Sequence, residues 1–491
     1  MERNPVPFSG KNEQRGKANL IESLKSIVGE HYVLDSDVDK QAYIKVLVPF
    51  PHLRSDPDVI VLPGSTEEVS KILAFANKNN IPVTCKGAGS NYQTNSVPFR
   101  GGILLHFTRM DKILDINEDN LVATVEAGCH AYTLFHRLEQ LGFRYPCMGG
   151  YTGGPTFGSL VGGNSQGYCS SSNGTIGEHL MGLEVVLANG EVISFGAGAA
   201  SNYGYFYKWT GVPNPMWLFL QSSGTLGVVT KVSVRIKPKA NFESFMTFGW
   251  TNDRLKEASQ AMRHVLLHLD AINIDLWNYW SFLAATKSGA LKLPAGGEGV
   301  EVFCLISHAG VSEAEIKQKE ELTREVCSGY NGVDLGEYIC KEVFGPPNYR
   351  LWDASKQKSA TTRQALMDQG GAFYMVPLSK MPEDYALFQK VMQENGYWND
   401  KNVPRYRGWA MMPAAFTGYP GFYCARGEEE KAWEVLQKWG QELVERGAMP
   451  YQVGVTWPKL TLDRLGPQFE LTKRIKKMLD PNNILNPGHL F

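Results

Sequence analysis

Residues 61–238 constrain this chain more than any other stretch. They set one turn-rich run, Lys86-Gly87-Ala88-Gly89-Ser90-Asn91-Tyr92, ahead of a longer one, Gly153-Gly154-Pro155-Thr156-Phe157-Gly158-Ser159-Leu160-Val161-Gly162-Gly163-Asn164. Glycine lets a backbone approach a ligand closely and adopt positive φ, so a run rich in glycine and hydroxyls can aim several N–H groups at one anion. One such run reads equally well as a tight turn. Two, each set between strand-like segments, point to a large phosphate-bearing ligand held along its length. The first run lacks the third glycine of GxGxxG, and no Gly-Lys-Ser/Thr follows it, so neither a nicotinamide-type dinucleotide site nor a P-loop fits.

The flanking segments read as a mixed α/β unit. Asp58-Val59-Ile60-Val61-Leu62-Pro63 is a short buried strand, and Ser65-Thr66-Glu67-Glu68 caps a helix with Val69, Ile72, Leu73 and Ala76 on one face. Ile81-Pro82-Val83-Thr84-Cys85 is a second strand that delivers the first glycine run. Further strands fall at Gly102-Ile103-Leu104-Leu105-His106-Phe107, at Leu121-Val122-Ala123-Thr124-Val125-Glu126 and over 227–234. Between them a hairpin runs over 182–193, and its Asn189-Gly190 pair fits a two-residue type I′ turn. After about residue 240, helical stretches at 253–270, 312–330, 383–395 and 428–446 alternate with strand-like pieces at 300–306 and 373–376 among dense aromatics. The expectation is an α+β protein in three parts: a nucleotide-type domain over 1–240, a second α+β domain over 241–450, and a tail over 451–491 of different character.

Composition removes several classes. Forty-nine basic against 50 acidic residues leave no footprint for nucleic acid. No apolar run is long enough to span a membrane, and residues 1–17 lack an apolar leader segment, so the reading is cytoplasmic. The eight cysteines show no CxxC spacing, which argues against structural zinc or an iron–sulfur cluster. His264 and His268 lie at i, i+4 but have no third ligand motif nearby, so no metal site is expected. Arg405 and Arg407 flank a strand and read as surface salt-bridge partners, the alternative being that they supply the cation that position 452 lacks.

The order PGSTEEV, KGAGSNY, GGPTFGSLVGGN, GLEVVLANGEV, GTLGVVTKV and LDPNNILNPG resembles that of the vanillyl-alcohol oxidase / p-cresol methylhydroxylase flavoproteins over nearly the whole chain. The resemblance implies a two-part FAD-binding domain with an inserted cap that holds the substrate. It implies that Lys86, Gly87, Ala88, Gly89, Ser90 and Asn91 meet the FAD pyrophosphate. Pro155, Thr156, Gly158, Ser159, Gly163 and Gly177-Glu178-His179 would pass the isoalloxazine, Val228 would meet the adenosine half, and Asn486 in the terminal motif completes the cofactor set. Non-covalent FAD is the reading, because Ser90 and Gly154 stand where relatives place a linking histidine or cysteine; a link through Tyr419 or Tyr423 stays open. The resemblance makes a homodimer the expected assembly.

By the same resemblance, Tyr92 and Tyr451 occupy the positions that clasp a phenolate, while Gln452 stands where phenol-oxidising members carry arginine. An amide offers only a neutral hydrogen bond there, roughly half as strong as a charge-assisted one. Tyr92, Tyr451 and Gln452 are the expected catalytic residues, orienting and deprotonating a small hydroxylated substrate whose hydride passes to flavin N5. A para-substituted phenol or related alcohol is the main expectation. The alternative is a 2-hydroxy acid of the D-lactate or glycolate type, although no histidine occurs between His308 and His489 to supply that group's cap metal site. A third reading is a flavin subunit of an electron-transfer complex. Oxygen, a cytochrome and an electron-transfer flavoprotein all remain open as acceptors.

Overall fold

A computed structural model describes residues 11–44, 55–91, 95–149, 154–285, 293, 296–337, 366–370, 373–412, 414–454 and 457–491. The first half holds two sheets. In the four-stranded one, Val59–Val61, Ile103–His106 and Val83–Lys86 run parallel in that spatial order, with Val33–Leu34 antiparallel at one edge. Parallel neighbours need a crossover, and the Thr66–Lys78 helix provides it. The Ser65 side chain accepts the Glu68 N–H at 3.2 Å, while Val69, Ile72, Leu73 and Ala76 are fully buried. Each of the three larger side chains contributes about 1.5–3 kcal/mol by leaving water. The second sheet orders Val192–Gly196, Leu180–Val186, Val228–Arg235, Val122–Glu126 and Ile113–Asn117, all antiparallel.

Two local expectations change. The hairpin does not close through a type I′ turn: the Gly190 N–H bonds the Leu187 carbonyl at 2.9 Å and the Leu187 N–H bonds the Glu191 carbonyl at 2.8 Å. Only Gly190 of the turn has positive φ (89°), so the loop is a three-residue turn with a glycine bulge. Packing decides this, because the loop sits against the Thr66–Lys78 helix and the Ser70 hydroxyl donates to the Gly190 carbonyl at 2.5 Å. The second glycine-rich run is also more than a loop, since Phe157–Gly163 is a short helix.

From residue 242 a different sheet begins. Eight antiparallel strands follow the order Val333–Asp334, Phe242–Trp250, Val302–Gly310, Asn273–Asn278, Arg407–Met411, Ala415–Gly418, Tyr374–Pro377, Met449–Pro450. The helices Leu255–His268, Met381–Glu394 and Glu429–Glu445 bury their apolar faces on one side of it, in a core that includes Phe248, Ile274, Leu276, Cys304, Ala410 and Phe416. Because side chains alternate along a strand, Asp275, Trp277, Arg407 and Trp409 share the opposite side. That side faces the first half: Trp277, Phe303 and Leu305 pack with Tyr168 and Cys169, and the Ile274 N–H donates to Ser171 Oγ at 2.8 Å.

The tail then returns. Residue Leu485 forms a parallel bridge with Val83, the Val83 N–H donating to the Ile484 carbonyl and the Asn486 N–H to the Val83 carbonyl, each at 2.8 Å. The Asp480 carboxylate accepts the Ile484 and Leu485 N–H groups at 3.0 and 2.8 Å, and Lys476 Nζ reaches it at 2.6 Å. The strand that delivers the first glycine run is thereby pinned along its outer edge.

Candidate cofactor cleft and active site

A cleft opens where the two sheets of the first half meet the inner face of the eight-stranded sheet. Its empty space, the open mouth included, is about 1550 Å³. Three segments of the first half line it. The first glycine run contributes Lys86, Gly87, Gly89, Ser90 and Asn91. The helix at 157–163 and its approach contribute Pro155, Thr156, Gly158, Ser159 and Gly163. The third segment is Ser222-Ser223-Gly224 with Gly227 and Val228. Phe373 and Trp409 close the side toward the eight-stranded sheet, and Tyr451 and Gln452 come from the tail.

Local forces explain these placements. Phe157, Leu160 and Val161 are buried, and an added Cβ at Gly158 would lie 3.0 Å from the Ala127 Cβ, so packing holds a glycine-rich helix that propensity alone would not form. The Thr156 N–H donates to Ser159 Oγ at 3.1 Å. At Gly87 a side chain would collide with Thr156 Oγ1, so glycine is required where the two runs approach. Gly162 differs: its added Cβ would meet no atom nearer than the Ser223 Cα at 4.0 Å, which leaves that part of the wall flat.

Lys86, only 4% exposed, is the sole Lys, Arg, His, Asp or Glu among the described lining residues. The cleft therefore favours anions. Several buried polar atoms of the lining have no hydrogen-bond partner among the described residues: Thr156 Oγ1, both amide atoms of Gln166, Asn95 Oδ1 and Ser96 Oγ. Leaving such groups unmade costs about 1–3 kcal/mol each, which a polar ligand can offset. The volume, the single cation, the flat glycine wall and the unmatched polar atoms together fit FAD. Cys85 also lines the cleft, but burial pushes its thiol up to about 12, so it stays protonated and unreactive.

Not every expected residue reaches the cleft. Ala88 lies within the first run but does not line it. The Ile176–His179 turn packs behind the 157–163 helix. There the Gly177 N–H donates to Asn164 Oδ1 at 3.3 Å, Glu178 points to solvent, and His179 is buried 3.2 Å from the Arg235 guanidinium. Burial, reinforced by Arg235, lowers the His179 imidazole to about 3. Asn486 supports the wall from outside, its amide donating to the Asn95 and Ser223 carbonyls at 2.9 and 2.7 Å. Tyr92 and Gly153 lie outside the described residues. Of the third lining segment, the sequence singled out Gly224, Gly227 and Val228 through the GTLGVVTKV motif but not Ser222 and Ser223, which extend it as a small, hydroxyl-rich run.

Tyr451 is buried, which raises its phenol well above the ordinary value, and its hydroxyl donates to the Asn164 carbonyl. Gln452 Nε2 donates to the Gly163 carbonyl at 2.6 Å, and its Oε1 accepts from Asn91 Nδ2 at 3.2 Å. On the opposite wall Tyr419 stacks on both Trp409 and Phe373, with ring centroids 5.5 and 4.9 Å apart.

Arg407 is not a surface residue. It is 7% exposed, lies 3.9 Å from the Trp277 ring and 4.9 Å from the Tyr419 ring, and pairs with Asp275 at 3.6 Å. The strand register that sets Trp277 opposite Arg407 places the guanidinium inside, where local sequence cannot show it. Burial pushes the Asp275 carboxyl above its ordinary value, and a hydrogen bond with the Trp277 side chain opposes that shift.

Comparison with known proteins agrees with this architecture. Residues 57–196 match the FAD binding domain family, and residues 453–490 match the C-terminal domain of FAD linked oxidases. The glycolate oxidase subunit GlcD of Bacillus subtilis is 32% identical over 486 residues, covering 96% of this chain and 97% of that protein. The mitochondrial D-lactate dehydrogenase [cytochrome] of Arabidopsis thaliana is 25% identical, covering 96% and 80%. Among solved structures, a 4-ethylphenol oxidase from Gulosibacter chungangensis in complex with isoeugenol superposes with a TM-score of 0.84 at 19% identity, over 98% of each chain. A p-cresol methylhydroxylase with substrate bound gives 0.81 at 19% identity over 97% of each chain. The fold is thus the α+β, p-cresol-methylhydroxylase type expected from the sequence. With a relative of this identity aligned over nearly the whole of both chains, the protein belongs to the FAD-linked oxidase family and is an FAD-dependent oxidoreductase.

Proposed function

We propose that this protein oxidises a small 2-hydroxy acid to the 2-oxo acid, with non-covalent FAD in the cleft between residues 1–240 and the inserted 241–450 domain. The observation that carries the reading is full-length likeness at 32% identity to a glycolate oxidase subunit, joined by likeness to D-lactate dehydrogenases. Likeness to the phenol oxidases is 19% and bears on fold alone.

When bound, FAD supplies the two-electron oxidising half of the reaction. The chain supplies the rest. Lys86 in the lining and Arg407 behind the Trp409–Tyr419 stack bias the site toward a carboxylate, and no described lining residue carries a negative charge. Trp409 and Phe373 form an aromatic wall that limits substrate size. Tyr451, held neutral by burial and donating to a backbone carbonyl, orients the site rather than removing the hydroxyl proton. A para-substituted phenol is the competing substrate class. It needs a partner for the phenolate at Gln452, and that amide already bonds Asn91 and Gly163.

Turnover with an artificial dye acceptor tests the reading. A 2-hydroxy acid should be oxidised to its 2-oxo acid while its methyl ester is a poor substrate. Equal rates for acid and ester, or turnover of para-alkylphenols alone, would overturn it.

A further inference from the structure

We propose that Gln452 is a positioning residue that clamps the two glycine-rich walls of the cofactor cleft together, and that an amide is required there because one partner accepts and the other donates. This rests on the reading of the cleft as the FAD site. Three segments far apart in sequence meet at this side chain, which is 7% exposed. Its Nε2 donates to the Gly163 carbonyl at 2.6 Å, at the C-terminal end of the 157–163 helix. A backbone carbonyl can only accept, so it fixes which end of the amide is the NH2 group. That leaves Oε1 facing Asn91, which donates to it at 3.2 Å from the last position of the 86–91 run.

The surroundings are built around this bridge. A Cβ at Gly163 would stand 2.8 Å from Nε2, so glycine at 163 is what admits the amide. The neighbouring residues extend the grip: the Tyr451 hydroxyl donates to the Asn164 carbonyl, and the Gln221 amide donates to the Tyr451 carbonyl. Asn95 Nδ2 donates to the Val453 carbonyl at 3.3 Å and to Ser223 Oγ at 2.9 Å. Residues 451–453 therefore hold all three lining segments of the first half at fixed spacing. No charged side chain can replace the amide. A carboxylate cannot donate to the Gly163 carbonyl and sets two acceptors face to face, whereas a guanidinium cannot accept from Asn91. Alanine removes both bonds.

The test is titration of apoprotein with FAD, followed by flavin fluorescence, together with the midpoint potential of the bound flavin. Two hydrogen bonds of about 0.5–1.5 kcal/mol each correspond to roughly tenfold or more in the FAD dissociation constant, and Gln452→Ala, Gln452→Glu and Gln452→Arg should all show it. Asn91→Ala should weaken FAD by a smaller factor. The double variant Asn91→Ala/Gln452→Ala should lose less than the sum of the two single losses, because both changes break the same bridge. The flavin potential of Gln452→Ala at saturating FAD should shift, as wall spacing alters the polar groups around the ring. If the Gln452 variants do not fold, Asn91→Ala decides the matter: FAD affinity and potential equal to wild type would overturn the clamp. Strictly additive losses would overturn it too. So would a Gln452→Arg protein that binds FAD normally and gains affinity for a para-alkylphenol, since the position would then face substrate. A wild-type protein that takes up no FAD would instead remove the cofactor reading on which the clamp rests.

Discussion

Arg407 shows how a single residue changes meaning between sequence and structure. Read locally, Arg405-x-Arg407 is a pair of polar positions on a strand. Only the cross-strand register, Asp275 opposite Trp409 and Trp277 opposite Arg407, sends this guanidinium inward to lie 3.9 Å from the Trp277 ring. Removing it alone would also break its contact with the buried Asp275 and so obscure its role. The informative variant is therefore Arg407→Met combined with Asp275→Asn. We expect KM for a 2-hydroxy acid to rise about tenfold, equivalent to ~1.4 kcal/mol, with FAD affinity unchanged. Steady-state kinetics and FAD titration check both halves; an unchanged KM would remove Arg407 from substrate binding. The glycines of the cleft were easier to read as a group, although the close approaches that require Gly87 and Gly163, to Thr156 and Gln452, appear only in the fold. Gln452 was legible as a site position. Its bonding to Gly163 and Asn91 was not, since it joins residues 289 and 361 positions away.

Among elements, those with their own start signals were legible. Ser65 and Ser312 cap the helices that follow them, accepting the N–H of Glu68 and Glu315. The 157–163 helix was not, because four of its flanking and internal features (Gly158, Gly162, Gly163 and the left-handed Asn164) read as loop, and tertiary packing overrides them. The hairpin turn at 187–191 failed for the same reason, through contact with Ser70. The terminal motif has a sharper energetic role. Lys476 is 5% exposed and donates to the Thr225 and Leu485 carbonyls at 2.8 and 3.0 Å as well as to Asp480. Lys476→Met should strand the Asp480 carboxylate and lower stability by about 3–5 kcal/mol. Lys476→Met/Asp480→Leu should recover part of that loss. Denaturant unfolding measures both, and equal stability of the single variant and wild type would contradict the assigned role of the tail.

At the scale of the whole molecule, the order of motifs along the chain was enough to expect an α+β FAD-binding fold with an inserted second sheet. It could not give the cap face of the cleft, which depends on strands separated by more than a hundred residues. Buried histidines set the pH response. Burial lowers His106, His308 and His489 to about 4 and His179 to about 3. The unfolded chain binds these protons near pH 6.5 while the folded protein does not, so stability is full above that pH and is lost as pH falls toward 4. Each such histidine is worth on the order of 3 kcal/mol at the acid end. Asp384, raised to about 7 by burial, and Asp275 act in the opposite sense, so the four histidines prevail. Thermal melting should fall steadily between about pH 6.5 and 4, and a flat profile would contradict the buried-neutral assignment. The central claim is tested most directly by anaerobic titration of the FAD-loaded protein with D- and L-2-hydroxy acids and para-alkylphenols. Bleaching of the flavin band by one enantiomer of a 2-hydroxy acid is the predicted result; bleaching by the phenols alone would contradict it.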